Sequence, residues 1–223
     1  MKRAELAALI DHTKLGPVVL PAQVEALCRE AAEHGFASVC IPAHRVAQAR
    51  RLLAGTSVKV CTVIGFPHGA HAPEVKAFEA RRAIEDGAQE LDMVVDVSAL
   101  KAGDHRAVLA DIQAVCQAAQ AGPERACVKV ILEMALLERE EKVAGCILAV
   151  AAGADYVKTS TGFGPGGATV EDVALMRQTV GPEVGVKAAG GIKTPQDAQA
   201  MVDAGATRLG ASAGVALVAA LDE

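Results

Sequence analysis

Short apolar runs alternate with longer, alanine-rich amphipathic segments from one end of this chain to the other. The apolar runs predict eight strands, at 8–12, 37–41, 58–64, 89–95, 127–132, 154–159, 184–188 and 206–210. The segments between them, such as PAQVEALCREAAEHG, HRAVLADIQAVCQAA and PQDAQAMVDAG, have the hydrophobic spacing of surface helices. Strands that alternate with helices of this length form βαβ units with a parallel sheet. Eight units predict a closed (β/α)8 TIM barrel with a short N-terminal helix, built as a single domain over residues 1–223.

Glycines that follow predicted helices form a faint internal repeat. Gly35 and Gly87 are 52 residues apart, and so are Gly153 and Gly205. Glycine at this position supplies the left-handed conformation that often ends a helix. All four precede even-numbered strands, and a period of two βα units favours a closed barrel over an open sheet, whose strand order would reverse at one point.

Composition excludes several classes of function. The formal net charge is -5, Trp is absent and Tyr occurs once, so neither a basic surface nor base stacking indicates a nucleic-acid partner. Charges interrupt every apolar run well short of the roughly 20 residues that a membrane-spanning helix needs. The N-terminus does not have the pattern of a secretory signal, and the six cysteines form no CxxC motif. We expect reduced thiols in a cytoplasmic protein that binds neither nucleic acid nor membrane.

Five charged residues interrupt strands that should otherwise pack a barrel interior. They are Lys59, Asp92, Lys129, Lys158 and Lys187. A single such residue near a strand end could simply extend its side chain into water. Five of them on five strands indicate a polar centre, with Lys59 as the best candidate for a bystander.

The positions of Lys158 and Lys187 suggest a specific chemistry. Both lie near the C-terminal ends of consecutive predicted strands, and neighbouring strands are about 4.8 Å apart. Two close cations lower the pKa of at least one of them, and a partly neutral lysine can attack a carbonyl to form a Schiff base. Asp92 could keep the second lysine charged. Metal chemistry would need a cluster of His and carboxylate ligands, and the loop that carries His68 and His71 has no such pattern, so we expect no metal.

Glycine-rich turns follow the last two predicted strands. They are Ala189-Gly190-Gly191 and the segment 210–214, which directly precedes a helix. TIM barrels often bind phosphate at this place, where small residues let backbone N–H groups approach the anion. Glycine is also common in ordinary tight βα loops, but the presence of both turns favours a phosphorylated ligand.

The motifs together resemble those of the deoxyribose-phosphate aldolase family. The resemblance runs from IDHTKL at Ile10 to RLGASAG at Arg208 and includes VCTVIGFPHG, ELDMVVDVSALKAGD, VKVILE, GADYVKTSTGF and VKAAGGIKT. It implies a class I aldolase of deoxynucleoside breakdown that splits 2-deoxy-D-ribose 5-phosphate reversibly into D-glyceraldehyde 3-phosphate and acetaldehyde. It also implies a small phosphorylated sugar and acetaldehyde as ligands, no metal or organic cofactor, and assembly as a homodimer or homotetramer.

The resemblance assigns roles to individual residues of this chain. Lys158 matches the Schiff-base lysine, Lys187 the second lysine that perturbs the first and joins proton transfer, and Asp92 the acidic proton carrier. Asp11 and Thr13 match a supporting polar network, and Lys129 and Cys40 match positions that line the site. The residues that match the phosphate-binding group are Gly162, Gly190, Gly191 and Ser212.

Two positions depart from the family pattern. Phe163 stands where some members carry a lysine, so phosphate binding here would depend more on backbone N–H groups. No tyrosine follows Tyr156, whereas longer members end in a tyrosine proposed to aid proton transfer, and the donor that protonates the enamine stays open. Other readings remain: a different phosphate-binding lysine aldolase, a transaldolase-like transferase, or a non-catalytic barrel that binds a sugar phosphate.

Overall fold

Eight parallel strands close into a barrel in sequence order in the computed structural model, which describes residues 1–120 and 122–221. Each strand pairs with the next along the chain, and β8 pairs with β1 to complete the ring. The strands are β1 (Ile10–Thr13), β2 (Ser38–Ile41), β3 (Lys59–Ile64), β4 (Glu90–Val94), β5 (Cys127–Ile131), β6 (Tyr156–Lys158), β7 (Gly185–Ala189) and β8 (Arg208–Ala211). The predicted TIM barrel is confirmed.

Helices surround the barrel and include the expected short N-terminal one. They are α1 (Arg3–Ala7), α2 (Pro21–His34), α3 (Val46–Leu52), α4 (Pro73–Glu85), α5 (Val97–Lys101), α6 (His105–Ala118), α7 (Arg139–Ala151), α8 (Val170–Val180), α9 (Pro195–Asp203) and α10 (Gly214–Ala219). In the part of the chain that the structure describes, none of these helices has the length and apolar character needed to cross a membrane.

Each predicted strand overlaps an observed one, but several ends differ. The chain turns at residues 8–9 after α1, so β1 begins at Ile10 rather than at residue 8. The predicted 154–159 strand shrinks to three residues because Ala154 still donates its N–H to Ala149 at the end of α7. Strand β7 continues to Ala189, one residue beyond the prediction, so Lys187 lies in the middle of its strand and not near its end.

The four repeated glycines end their helices in the same way. Gly35, Gly87, Gly153 and Gly205 all have positive φ, between 69° and 111°. In each case the residue after the glycine donates its N–H to the carbonyl five residues earlier, as Phe36 does to Ala31. This is the bond of a Schellman turn, and it aims the chain back into the next strand. The predicted helix ends are therefore confirmed.

Two apolar regions of very different size lie on the two sides of the sheet. The large one fills the layer between the strands and the surrounding helices. The small one lies at the barrel interior and contains Cys40, Cys61 and Val63, with Leu15 and Phe66 against it. Barrel interiors are usually packed by branched apolar side chains. Here polar and charged groups occupy much of that space.

A buried ion pair joins α4 to α6 outside the barrel. Lys76 Nζ lies 2.7 Å from Asp111 Oδ2 and donates a hydrogen bond of 2.9 Å to the carbonyl of Val94. Asp111 Oδ2 also accepts the backbone N–H of Asp96 at 3.0 Å. Burial raises the pKa of Asp111, against the opposing attraction of Lys76. The pair therefore ties two helices to the end of β4, the strand that carries Asp92.

Replacing Lys76 with methionine is expected to lower the free energy of unfolding by about 3–5 kcal/mol, because Asp111 would be left buried without its cation. Urea unfolding followed by circular dichroism measures the loss. The double variant Lys76→Met/Asp111→Asn keeps an acceptor for Asp96 and removes the unpaired charge, so it should regain most of the stability. A double variant no more stable than the single one would contradict this account.

Candidate active site

Strand register places the predicted charged residues side by side. Asp92 on β4 pairs with Lys129 on β5, and Lys158 on β6 pairs with Lys187 on β7. Residues at the same level of a parallel ladder point to the same side of the sheet. Lys129 pairs with Tyr156, two residues before Lys158, so all four side chains lie on one side of the sheet. Their ion pairs across the ring place that side in the barrel interior.

Asp92 accepts hydrogen bonds from three ammonium groups at once. Its Oδ2 lies 2.7 Å from Lys158 Nζ and 2.6 Å from Lys187 Nζ. Its Oδ1 lies 2.9 Å from Lys129 Nζ and 3.2 Å from Cys61 Sγ. All of these side chains are buried. The two lysines that the sequence singled out therefore share one carboxylate oxygen.

A second set of ion pairs supports this cluster from the N-terminal side of the strands. Asp11 on β1 accepts from Lys187 through Oδ2, and from Ser38 and Arg208 through Oδ1, both at 2.7 Å. Glu90 Oε2 lies 2.6 Å from Lys129 Nζ and 3.0 Å from Arg208 Nη1. Asp11 thus belongs to the network, as the resemblance implied.

Glu90 and Arg208 were missed by sequence reasoning, although one signal was available for Glu90. It stands two residues before Asp92 in β4, and alternate residues of a strand point to the same face. Arg208 is the first residue of β8, where a charged residue ordinarily reaches solvent. Here its guanidinium lies 5.6 Å from the centroid of the Tyr156 ring and turns inward.

The interior charges are divided between the two halves of the barrel. The carboxylates of this network lie on β1 and β4, namely Asp11, Glu90 and Asp92. The cations lie on β5, β6, β7 and β8, namely Lys129, Lys158, Lys187 and Arg208. Ion pairs between them, such as Lys129 with Asp11 at 3.6 Å, span the interior.

Mutual attraction outweighs burial for most of this network. Burial raises the pKa of Asp92, but Lys129, Lys158 and Lys187 together hold that pKa well below its ordinary value. Burial lowers the pKa of Lys187, but attraction to Asp11 and Asp92 raises it above the ordinary range. Two carboxylates therefore hold the proton on Lys187, the lysine that was expected to stay charged beside Asp92.

Acid is expected to destabilise the fold through Asp11 and Asp92. The pKa of each is lower in the folded chain than in the unfolded one. Their contribution is therefore complete above the unfolded value of about 3.9 and is lost as pH falls through the lower folded values. Two such carboxylates give a slope of up to about 2.7 kcal/mol per pH unit below about pH 4. Urea unfolding at pH 5, 4 and 3 measures the slope, and Asp11→Asn should roughly halve it; an equal slope in that variant would contradict the assignment.

A cavity of about 590 Å³ opens at the C-terminal end of the barrel. Among the described residues of the charged network, Lys158 is the one that lines it, and Asp92 and Lys187 lie behind Lys158. The four residues predicted to bind phosphate also line the cavity: Gly162, Gly190, Gly191 and Ser212. The structure therefore brings Lys158 and the residues predicted to bind phosphate to one cavity.

Lys193 and Lys14 also line this cavity and were not singled out from the sequence. Lys193 was discernible as a cation two residues after Gly191, in the loop that follows β7. The cavity thus has two cations at its rim in addition to backbone N–H groups. The expectation drawn from Phe163, that phosphate binding depends more on backbone N–H groups, did not include these two lysines.

The turn after Lys158 is held by a residue with unusual backbone geometry. Glu133, two residues after β5, has φ of 58°, a backbone conformation that residues other than glycine rarely adopt. Its Oε2 accepts from the Thr161 hydroxyl, and Thr161 Oγ1 in turn accepts the N–H of Phe163 at 3.0 Å. A Cβ at Gly164 would lie 2.8 Å from Glu133 Cδ. Glu133 therefore fixes the 161–164 turn, and with it Gly162.

The remaining predicted residues lie farther from the ammonium groups. Thr13 donates to the backbone carbonyl of Asp11 at 2.8 Å and lines the cavity without touching the lysines. Cys40 is fully buried beside Cys61 at the interior. Lys59 is exposed at the start of β3, as expected of a bystander.

The two histidines of the PHGAH motif, His68 and His71, are both exposed. Within residues 1–120 and 122–221, the clusters with metal-ligand spacing are Cys40–Cys61–Asp92 and Asp11–Cys61–Glu90, and neither includes a histidine. The carboxylates of both clusters already form ion pairs with lysine or arginine.

The family model described as "DeoC/LacD family aldolase" matches residues 6–220. The chain belongs to this aldolase family. The aldolase is 59% identical over 213 residues to the deoxyribose-phosphate aldolase of Geobacillus sp. (strain WCH70), covering 96% of this chain and 94% of that one. It is 56% identical, with the same coverage, to the deoxyribose-phosphate aldolase of Listeria monocytogenes serotype 4a (strain HCC23).

Solved structures agree with the fold of the aldolase. The deoxyribose phosphate aldolase from Aeropyrum pernix, described as having a unique tetrameric structure, superposes with a TM-score of 0.90 at 35% identity. The match covers 98% of this aldolase and 91% of that chain. The resemblance seen in the sequence motifs is thereby confirmed at the level of the family.

Proposed function

We propose that this aldolase cleaves 2-deoxy-D-ribose 5-phosphate reversibly into D-glyceraldehyde 3-phosphate and acetaldehyde through a Schiff base on Lys158. The observation that carries the proposal is the position of Lys158, whose Nζ bonds Asp92 and whose side chain lines the cavity. The names of the Geobacillus and Listeria relatives supply the substrate class.

Schiff-base formation needs an uncharged amine beside an aldehyde. Lys158 releases its proton to solvent through the cavity, and its nitrogen lone pair then attacks C1 of the open-chain sugar. The carbonyl electron pair moves to oxygen, which takes up protons and leaves as water. The product is a protonated imine, which withdraws electrons from the neighbouring carbon.

Carbon–carbon cleavage follows from this electron sink. A base removes the proton of the C3 hydroxyl, and we assign this step to Asp92 acting with Lys187 through water. The C2–C3 bond breaks, its electron pair moves into the C1–C2 bond, and the imine nitrogen receives the displaced pair. Glyceraldehyde 3-phosphate leaves, and an enamine remains on Lys158. Protonation at C2 and addition of water release acetaldehyde and regenerate the amine. This chemistry needs no metal or organic cofactor.

The phosphate end of the substrate fits the glycine turns at the cavity rim. Gly190 and Gly191 in the turn after β7 both have positive φ, of 89° and 82°, a conformation that glycine adopts without strain. Ser212 lies in the adjacent turn after β8, and Lys193 adds a positive charge. Backbone N–H groups and a cation together suit a phosphate dianion.

Borohydride trapping tests the proposal. The protein is incubated with deoxyribose 5-phosphate and sodium borohydride, digested, and mapped by mass spectrometry. We expect a reduced two-carbon or sugar adduct on Lys158. An adduct on Lys187 would reverse the two roles, and bound sugar phosphate without any adduct would favour a non-catalytic binding protein.

The alternatives within aldolase chemistry differ in their donor. An enzyme that uses a ketone donor, including a transaldolase-like transferase, would form its trapped adduct with dihydroxyacetone or a ketose phosphate. Parallel trapping reactions with acetaldehyde and with dihydroxyacetone separate these cases. We expect the adduct with acetaldehyde.

We further propose that the aldolase works in the cytoplasm as a homodimer or homotetramer. All six cysteines are free, which suits a reducing compartment. Large apolar side chains are exposed on two helices, with Phe78 at 65% and Val75 at 50% on α4 and Ile147 at 54% on α7. The Aeropyrum relative is described as a tetramer. Light scattering after size exclusion tests the assembly, and a single species of one chain mass would contradict it.

A further inference from the structure

The ion-pair network inside the barrel has unequal numbers of the two charges. Its carboxylates are Asp11, Glu90 and Asp92, and its cations are Lys129, Lys158, Lys187 and Arg208. Three negative charges therefore face four positive ones. A buried cluster with an uncompensated charge is costly, because little water is available to solvate it.

Release of one proton from a cation would balance the network, and the ion pairs indicate which cation releases it. Lys187 contacts two carboxylates, Asp11 and Asp92, and Lys129 contacts those two and Glu90. Arg208 is a guanidinium, which stays protonated in proteins. Lys158 contacts Asp92 alone and is the member that reaches the cavity. It holds its proton with the fewest partners.

Glu90 and Arg208 contribute one negative and one positive charge to the network, but neither residue lines the cavity. The side chains of Glu90 and Arg208 are 7% and 14% exposed, respectively. A Cβ at Gly185 would overlap the ring of Tyr156, so its absence lets that ring lie beneath the guanidinium of Arg208. The pair is therefore fixed at the N-terminal end of the interior, where neither member can touch a substrate in the cavity.

We propose that Glu90 and Arg208 are positioning residues that set, through this unequal charge count, the pH range in which Lys158 is a neutral amine. The proposal rests on the Schiff-base function of Lys158. It predicts opposite effects for the two residues. Removing the carboxylate increases the positive excess and favours the neutral amine, whereas removing the guanidinium equalises the count and favours the ammonium.

The titratable and charged groups that face Lys158 come from every strand of the interior and from the cavity rim. Asp92, Lys129 and Lys187 flank it directly, and Asp11, Glu90 and Arg208 lie beyond them. The thiols are Cys40 and Cys61, and Glu133 follows β5. The cavity lining adds Lys14, Lys193 and the ion pair of His12 with Glu30. Burial raises the pKa of Cys61 well above its ordinary value, whereas the hydrogen bond with Cys61 lowers that of Cys40. Placing every variant also in a Cys40→Ser background removes any contribution of a thiolate to the count.

The test is the pH dependence of kcat/KM for deoxyribose 5-phosphate cleavage between pH 5 and 10, which reports groups of the free enzyme. Glu90→Gln should move the midpoint of the acid limb down by about one pH unit, and Arg208→Gln should move it up by about one. The double variant Glu90→Gln/Arg208→Gln restores an excess of one positive charge and should return the midpoint to the wild-type value. Arg208→Lys keeps the charge and should leave the midpoint in place.

Midpoints that move in the same direction, or that stay fixed while the maximal rate falls, would show that the pair acts only on stability and would overturn the proposal. If Arg208→Gln does not fold, the downward shift in Glu90→Gln and the unchanged midpoint in Arg208→Lys still decide the question. Borohydride trapping of the wild-type protein distinguishes a failure of the underlying function. A wild-type adduct on Lys158 with unshifted variants refutes the positioning role, whereas no wild-type adduct refutes the Schiff base itself.

Discussion

Replacing Lys158 with methionine should lower kcat/KM for deoxyribose 5-phosphate by at least about 10⁴-fold, because the amine that forms the imine is gone. Methionine keeps much of the length and the apolar stem of lysine. Asp92 keeps its contacts with Lys129 and Lys187 in this variant, so the folded structure should persist. Activity assays measure the loss of kcat/KM, borohydride trapping measures the loss of the adduct, and circular dichroism checks that the fold persists. Sugar phosphate binding should survive within about tenfold, because the turns at the cavity rim are unchanged.

Lys59→Met is the matched control for this substitution. Lys59 is also a strand lysine, but it is exposed at the opposite end of the barrel. Its replacement should change kcat/KM by less than about twofold, as expected of a surface position. A Lys158→Met variant that retains more than about one-hundredth of wild-type activity would argue against the Schiff base.

Asp92→Asn should reduce both stability and activity, because three ammonium groups lose their shared carboxylate. Removing one partner of a buried ion pair costs about 3–5 kcal/mol. Loss of the proposed proton carrier should lower kcat by about 10²–10⁴-fold. Urea unfolding and steady-state kinetics at pH 7 measure the two effects on the same preparation.

A compensating substitution separates the two roles of Asp92. Lys129 Nζ lies 2.9 Å from Asp92 Oδ1, and Lys129 does not line the cavity. Lys129→Met in the Asp92→Asn background removes one of the stranded cations, so it should recover part of the stability without recovering kcat. If activity returns together with stability, Asp92 serves the fold and not the proton transfer.

Much of the barrel was predictable because its signals are local. Eight apolar runs separated by amphipathic segments give the fold, and glycines such as Gly35 mark helix ends through their own backbone freedom. The central residues of the site, Lys158, Lys187 and Asp92, were identifiable because they are charged residues within strands that are otherwise apolar.

The rest depended on distances across the barrel that no local pattern contains. Arg208 meets Asp11 from the other end of the sequence, and only the closure of β8 onto β1 brings them together. The Lys76–Asp111 pair joins two helices, where a buried charge resembles an exposed one in the sequence. The carboxylates that raise the pKa of Lys187 lie on β1 and β4, so their contact with β7 also depends on closure of the barrel.

The division of interior charge gives the barrel a natural seam between α6 and β5. The first four strands supply the acidic side chains of the network and the last four supply the basic ones. A chain cut at this seam would yield two fragments with opposite charge on the surfaces that they must bury. Like charges oppose the pairing of two copies of one fragment, and opposite charges favour the pairing of the N-terminal fragment with the C-terminal one. Salt screens this attraction, so the rate at which the fragments associate would fall as ionic strength rises. The apolar contacts between strands and helices would not be weakened by this screening.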